Sequence, residues 1–460
     1  MTQTDVALLR KYNVPGPRYT SYPTVPYWDR TPTEAEWIDR VANAVASDTT
    51  GAGAALYLHI PFCRSLCTYC GCNMRVTRNH GLVMPYVQSL VKEYSLYLQR
   101  LGRDRLAVGE IHLGGGTPTF LHPEELDALL EGLMSRSTVT KDASLSIEVD
   151  PRTTTHEQLV VLQRHGFNRI SLGVQDFDPR VQDIVNRLQS EEQVRTVTED
   201  ARALGFRSVN FDLIYGLPLQ TLDSITATMD AVVRLKPDRI AFYAYAHVPW
   251  IKPSQRRFTE ADLPEGDAKR ALYELGRAHL EAAGYVEIGM DHFALATDDL
   301  VIAARQGRLH RNFMGYTPAF SRPLLGLGVS SIGDAGDAFA QNEKNLQQYE
   351  ERIAKDELPI QRGHLLDAED VVLRGHILDL MTGLETRWTA EERYTPFLDS
   401  VPARLAEMQK DGLLDVIQQH GETRIHVAPA GRAFLRNVCM AFDARLIRKA
   451  PATQLFSSTV

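Results

Sequence analysis

Between Ala54 and Ala246 the hydrophobic pattern changes period again and again, short β-rich runs giving way to longer stretches of helical spacing. The short runs predict strands at Ala54–Ile60, Val108–Leu113, Ser144–Val149, Arg169–Val174, Ser208–Ile214 and Arg239–Tyr245. Helices are predicted between them at about Pro85–Leu101, Pro123–Arg136, His156–His165, Glu191–Leu204 and Leu222–Leu235. Pro123 suits a first helical turn, and Glu124 and Glu125 complement the positive end of the helix dipole. Alternation of this kind is an α/β pattern, with parallel strands joined by helical crossovers. A doubly wound sheet and a partial barrel both satisfy it.

The unusual residues collect at one end of each strand. A cysteine-rich loop follows the first and Gly114–Gly115–Gly116–Thr117–Pro118 the second; Glu148, Asp150 and Arg152 end the third. Gln175 and Asp176 end the fourth, Asp212 and the turn Tyr215–Gly216–Leu217–Pro218 the fifth, and Tyr245–Ala246–His247 the sixth. In parallel α/β folds that edge is where sites are built, so one shared pocket is expected. Asp212 stands between Phe211 and Leu213 in an apolar strand, where a carboxylate without a partner is costly.

Of five cysteines, four lie within ten residues: Cys63, Cys67, Cys70 and Cys72. Met1–Asn13 has no apolar leader core, so a cytoplasmic location is expected, where thiols stay reduced and clustered cysteines serve metals. Structural zinc takes two ligand pairs separated by an insert, and no second pair exists outside this loop. Three thiolates on one loop suit three corners of a cubane iron–sulfur cluster whose fourth iron stays open. Cys439, alone in an apolar stretch, reads as a buried small hydrophobe. The balance of 50 Lys and Arg against 58 Asp and Glu, a net −8, argues against a nucleic-acid partner. No uncharged apolar run reaches the roughly 18 residues of a membrane span.

The spacing Cys63-x-x-x-Cys67-x-x-Cys70, with Tyr69 before the last cysteine, resembles the signature of the radical S-adenosylmethionine (SAM) superfamily. Further motifs are Gly16-Pro-Arg-Tyr-Thr-Ser-Tyr-Pro-Thr24, Tyr57-Leu-His-Ile-Pro-Phe-Cys63, His112-Leu-Gly-Gly-Gly-Thr-Pro-Thr119, Ser146-Ile-Glu-Val-Asp-Pro-Arg152, Gly173-Val-Gln-Asp-Phe177 and Asp212-Leu-Ile-Tyr-Gly-Leu-Pro218. Together they are similar to the oxygen-independent coproporphyrinogen III oxidase family, from about Leu8 to about Ser457. The resemblance implies a partial six-stranded barrel and a 4Fe–4S cluster on Cys63, Cys67 and Cys70. It implies two molecules of SAM, one of them on the open iron. Cleavage of SAM to a 5′-deoxyadenosyl radical would then turn two propionates of coproporphyrinogen III into vinyl groups.

Residue by residue, the resemblance assigns Tyr57, Glu148 and Ile332 to the cluster-bound SAM, and Gln175, Arg187 and Ala246 to the second. Tyr69, Gly115, Gly116, Thr117 and Asp212 complete the cofactor-binding set, and no side chain is expected to act as acid or base. Cys72 is near the site and unassigned. The family's usual Arg-Asn-Phe-Gln-Gly-Tyr-Thr reads Arg311-Asn-Phe-Met-Gly-Tyr-Thr317 here, so Met314 is left out of the site. Arg18, Arg152 and Arg311 are candidates to hold propionates. A flavodoxin-like one-electron donor, an unknown electron acceptor and a monomeric chain complete the expectations. The alternative is a haem carrier or another tetrapyrrole-modifying relative; the Gly16–Thr24 segment speaks against a carrier.

Three domains are expected: an arm at 1–50, a catalytic barrel with its extension at 51–365, and a domain at 366–460. The arm, turn-rich around Gly16–Pro23, is read as a lid. The last domain predicts helices at Asp370–Met381 and Val401–Lys410, β-like pieces at Leu414–Gln418 and Thr423–Val427, and one final helix at Pro429–Asp443. This resembles a winged helix, but Glu407, Asp411, Asp415 and Glu422 dilute its positive charge and favour a structural or lid role over DNA binding.

Overall fold

The computed structural model describes residues 6–250, 252–318, 320–449, 456, 457 and 459. The outer ends of the expected arm (1–5) and final domain (450–455, 458 and 460) lie outside the described residues, as do positions 251 and 319.

Six strands follow the predicted series: β1 (Ala54–Ile60), β2 (Leu106–Gly115), β3 (Ser137–Val149), β4 (Arg169–Gln175), β5 (Ser208–Tyr215) and β6 (Arg239–Ala244). They pair in chain order, each parallel to the next. Sequential order decides between the two sheet types left open by the pattern. A doubly wound sheet reverses direction at a switch point. Right-handed crossovers that always step the same way put every connecting helix on one face and leave the other bare. β2 and β3 start earlier than predicted because their first residues pair together, Leu106 opposite Ser137, and the added Ser137–Ala143 stretch of β3 is mostly polar and carries no apolar alternation.

The sheet has 12 strands in all. Beyond β6 come the antiparallel β7 (Tyr285–Gly289) and β8 (His292–Leu295), with β8 against β6. On the other side β9 (Leu324–Leu327) runs parallel to β1, followed by antiparallel β10 (Ile332–Asp334), β11 (Ala338–Asn342) and β12 (Ile360–Leu365). The crossover helices are set by local chemistry. Thr155, Ser190 and Thr221 each cap a helix reciprocally with the side chain three residues on. Their apolar faces and the outward residues of the strands, including Ile111, Ile147, Phe211 and Phe242, form the main core. Each such side chain contributes roughly 1.5–3 kcal/mol of burial.

A second core joins the two ends of the chain. Leu9, Tyr19 and Tyr22 pack with Leu373, Ile377, Leu405, Ile425 and Val438. The Tyr19 hydroxyl donates to Asp443 Oδ2 at 3.1 Å, and Arg436 holds the carbonyls of Gly16 and Pro17. Here a three-stranded antiparallel sheet, β13 (Glu385–Thr389), β14 (Leu414–Gln419) and β15 (Glu422–Val427), packs with helices Ala368–Gly383 and Val401–Lys410. The expected single helix at Pro429–Asp443 is corrected: a 3-10 turn, Pro429–Phe434, precedes a short α-helix, Leu435–Met440. Gly431 rests on the carbonyl of Leu413, where a Cβ would come to 1.9 Å, so only glycine fits in this turn. β13 and the helices Val6–Tyr12 and Glu34–Ala46 carry no signal that the sequence reading used. Among the described residues no helix is long and apolar enough to cross a membrane.

Candidate active site

The cysteine loop leaves β1 at Pro61 and is tied shut by backbone. Arg75 N donates to Pro61 O at 2.6 Å and Thr77 N to Cys63 O at 3.0 Å, so the loop returns beside its own start. His59 Nε2 lies 2.7 Å from Asn73 O and pins the far side. The middle of the loop docks on the segment before Arg187: Thr68 N donates to Val185 O at 3.0 Å and Asn186 Nδ2 to Leu66 O at 2.7 Å. Tyr69 packs with Val181, Val185 and Leu217. Cys63, Cys67 and Cys70 then line one cavity of about 560 Å³ on the helix-free face.

The glycines after β2 are there because of what approaches them. A Cβ on Gly115 would meet the His59 ring at 2.7 Å, and its φ of +110° lies in a region that side chains avoid. On Gly116 it would come within 2.9 Å of the Pro61 backbone and 3.0 Å of Cys63 Sγ. Thr117 Oγ1 reaches Cys63 Sγ at 3.4 Å. Glu148, at the end of β3, accepts from Gly115 N at 3.3 Å and lies 3.2 Å from His112 Nε2, whose other nitrogen is 2.7 Å from Ser146 Oγ.

Two guanidinium groups share the Asp150 carboxylate. Arg152 Nη2 is 2.6 Å and Arg187 Nη1 3.3 Å from Asp150 Oδ2, and the same two atoms stand 3.9 and 3.7 Å from Cys67 Sγ. Burial alone would raise the Asp150 carboxyl, but the charges of Arg187 and Arg152 hold it below its usual range. Arg187 also donates to Gly173 O at 2.6 Å, beside Gln175, whose φ of +66° marks an irregular strand end. Asp212 accepts from Ser171 Oγ at 2.8 Å and Asn210 Nδ2 at 2.9 Å. Burial, with the Glu148 charge behind it, pushes Asp212 up to about 6.

Tyr69, Gly115, Gly116, Thr117 and Glu148 share the lining with the three cysteines, and so do Gln175, Arg187 and Asp212. Tyr57, Ala246 and Ile332 are placed elsewhere. Tyr57 stacks on His112 with ring centroids 6.0 Å apart. It is in register with Gly326, against whose missing Cβ the Ile332 backbone lies at 2.6 Å. Ala246 lines a second cavity, but Gln255 Nε2 donates to both Ala246 O and Tyr69 O, at 3.3 and 3.2 Å. Met314, left out of the expected site, lines the first cavity.

His112, Ser146, Ser171 and Asn210 are the site residues that motif reading missed. His112, Ser146 and Asn210 each stand two residues before Gly114, Glu148 or Asp212, and Ser171 four before Gln175, so period-two polarity inside apolar strands was the available signal. Of the arginines expected to hold propionates, Arg152 is committed to Asp150, Arg311 stacks on Tyr316 at 4.5 Å, and Arg18 lines the second cavity. The arm's lining residues, Leu8 to Arg18, belong to that second cavity, not to the first.

The donor set fits an iron–sulfur cluster. Burial pushes the Cys63 thiol up to about 11, so a cation is what would draw out its proton, while a hydrogen bond from Cys72 pulls Cys70 down to about 6. Among the described residues no three His, Cys, Asp or Glu groups converge tightly enough for a single ion. A cubane spreads its sulfurs over separate irons and needs no such convergence.

The radical SAM superfamily model matches residues 57–232. The oxygen-independent coproporphyrinogen III oxidase of Escherichia coli (strain K12) is 40% identical over 455 residues, covering 98% of this chain and 97% of that protein. The enzyme of the same name from Pseudomonas aeruginosa is 40% identical over 449 residues, 96% of each chain. The solved structure of coproporphyrinogen III oxidase (HemN) from Escherichia coli, titled a radical SAM enzyme, superposes with a TM-score of 0.87 at 38% identity, over 96% of this chain and 99% of that one. Likeness of that extent in both sequence and structure means that the chain belongs to the oxygen-independent coproporphyrinogen III oxidase family, within the radical SAM superfamily.

Proposed function

We propose that this chain decarboxylates two propionates of coproporphyrinogen III oxidatively, without oxygen, to give protoporphyrinogen IX. One observation carries the reading: in a chain of this family, three loop cysteines and the acidic ends of β3 and β5 meet in one cavity. Family membership brings a 4Fe–4S cluster and SAM; the finer reading is a cluster on Cys63, Cys67 and Cys70 with two molecules of SAM. When bound, these groups supply the one-electron chemistry that takes a hydrogen from the propionate and lets carbon dioxide leave.

The chain's own residues bind and orient. Glu148, steered by His112, faces a positive sulfonium nucleoside, with Tyr57, Gly115, Gly116, Thr117 and Ile332 around it. Gln175, Arg187 and Ala246 hold the second nucleoside, and Asp212 completes the cofactor-binding set. Arg187 and Arg152 neutralise thiolate charge at Cys67. The strands, closing as a partial six-stranded barrel, exclude bulk water. The unit at 51–365 carries this chemistry, while the arm at 1–50 and the winged-helix-like unit at 366–460 wall the second cavity. The protein works in the cytoplasm as a monomer, with a flavodoxin-like donor and an external electron acceptor.

Anaerobic incubation with reductant, SAM and coproporphyrinogen III, followed by mass spectrometry, tests the reading. Loss of two carbon dioxide equivalents through a singly decarboxylated intermediate is expected; unchanged substrate overturns it.

A further inference from the structure

The second cavity, about 1110 Å³, lies between the ends of β5 and β6, the helix Gly266–Ala282, the arm and the segment from Pro429 to Arg436. It exceeds the roughly 300–1,000 Å³ usual for small ligands. Away from the sheet its charges are paired: Arg10 with Asp267 at 2.6 Å, and Arg277 with Glu281 at 3.3 Å. At the sheet edge the balance tips to positive. Arg18 Nη1 holds Asp291 at 3.2 Å while its Nη2 donates to Ala244 O at 3.3 Å, and Lys269 Nζ donates to the next carbonyl, Tyr245 O, at 2.8 Å. Two cations thus sit on successive carbonyls immediately before Ala246.

The turn after β5 is shaped for this lysine. A Cβ on Gly216 would meet Lys269 Cε at 2.7 Å, and Gly216 has a φ of +82°. The Tyr215–Gly216–Leu217–Pro218 motif, which the first cavity does not use, therefore makes room for the Lys269 stem. Burial, and then the charges of Arg18 and Arg436, pull Lys269 down to about 8 in spite of Asp291, the mark of a base crowded by like charge.

We propose that Lys269 and Arg18 form a carboxylate-binding site that holds a propionate of the tetrapyrrole at the end of β6. The inference rests on the proposed substrate and assigns it a place. Both are positioning residues that leave the reacting carbon to the first cavity.

The test uses the full chain carrying its cluster, with coproporphyrin III as an air-stable fluorescent probe and its tetramethyl ester as the uncharged comparison. Lys269→Met is expected to weaken coproporphyrin III binding about tenfold or more and to raise KM with kcat kept. Lys269→Arg should stay within about threefold of the parent, and the ester should bind parent and Lys269→Met alike. Arg18→Gln gives the same readout should Lys269→Met lose its cluster or its circular dichroism spectrum. Unchanged coproporphyrin III affinity and KM in both variants, in a chain that turns over coproporphyrinogen III, overturns the site. A parent chain that binds the probe through Lys269 yet never decarboxylates coproporphyrinogen III overturns the functional reading instead.

Discussion

At the first cavity Glu148, Asp150 and Asp212 stand beside four thiols, Cys72 among them; at the second, Arg18, Lys269 and Arg436 gather near Asp291. In the first, arginines answer part of that acidity; in the second, the sheet edge tips toward positive charge. In the first, burial and the Glu148 charge lift Asp212 to about 6; in the second, burial and the Arg18 charge lower Lys269 to about 8. Both linings hold charges of both signs, but each buries one group that is pushed toward its neutral form, and a ligand of opposite charge would favour that group's ionised form. The cofactor of this family is a sulfonium cation and the proposed substrate is a tetracarboxylate, so Asp212 would favour the one and Lys269 the other.

The sharpest way to break this contrast is to remove the thiol side altogether. Cys67→Ser is expected to abolish iron content, visible absorption and turnover, while coproporphyrin III affinity stays within about twofold. Gly116→Ala leaves every thiol in place but sets a methyl against the Pro61 backbone and Cys63 Sγ, and iron content should fall several-fold. Full iron in that variant would show that the loop has slack the packing denies. A smaller effect comes from Glu148→Gln, which keeps shape and removes charge. Equilibrium dialysis should show SAM affinity reduced about tenfold, with coproporphyrin III unaffected; equal loss of both ligands would dissolve the division of charge.

The smallest effect is in pH. Asp212 is lifted from 3.8 to about 6, so between those values the folded chain keeps a proton that the unfolded chain releases. Stability therefore falls as pH rises through that window and levels above it. Asp212→Asn should remove that decline, on the order of 2 kcal/mol, in urea titrations of the metal-free chain at pH 4.5 and 6.5. Parallel pH profiles in the two chains would show that the charge at Asp212 is already met.

The strand series was legible because each strand has an outward face of Val, Ile, Leu or Phe packed under helices; β1 and the helix Val401–Lys410 appear as read. The first cavity was legible because its residues sit in short motifs at strand ends. What sequence hid were contacts between distant segments. Gln255 meets Tyr69 across 186 positions, and no local pattern marks it. Lys269 reads as one more cation on an amphipathic helix until Gly216 is found beneath it. The final helix was read as too long for the same reason: Gly431 lies against the carbonyl of Leu413, a contact between separate elements that no local pattern marks.

The core that Leu9, Tyr19 and Tyr22 share with residues beyond Leu373 has a consequence for biosynthesis. Tyr19 leaves the ribosome 424 positions ahead of its partner Asp443, so its anchor forms long after it is made. The strands that grip the cluster loop are all translated well before that. The strands around the cysteine loop can thus fold while the opposite wall of the second cavity is still missing.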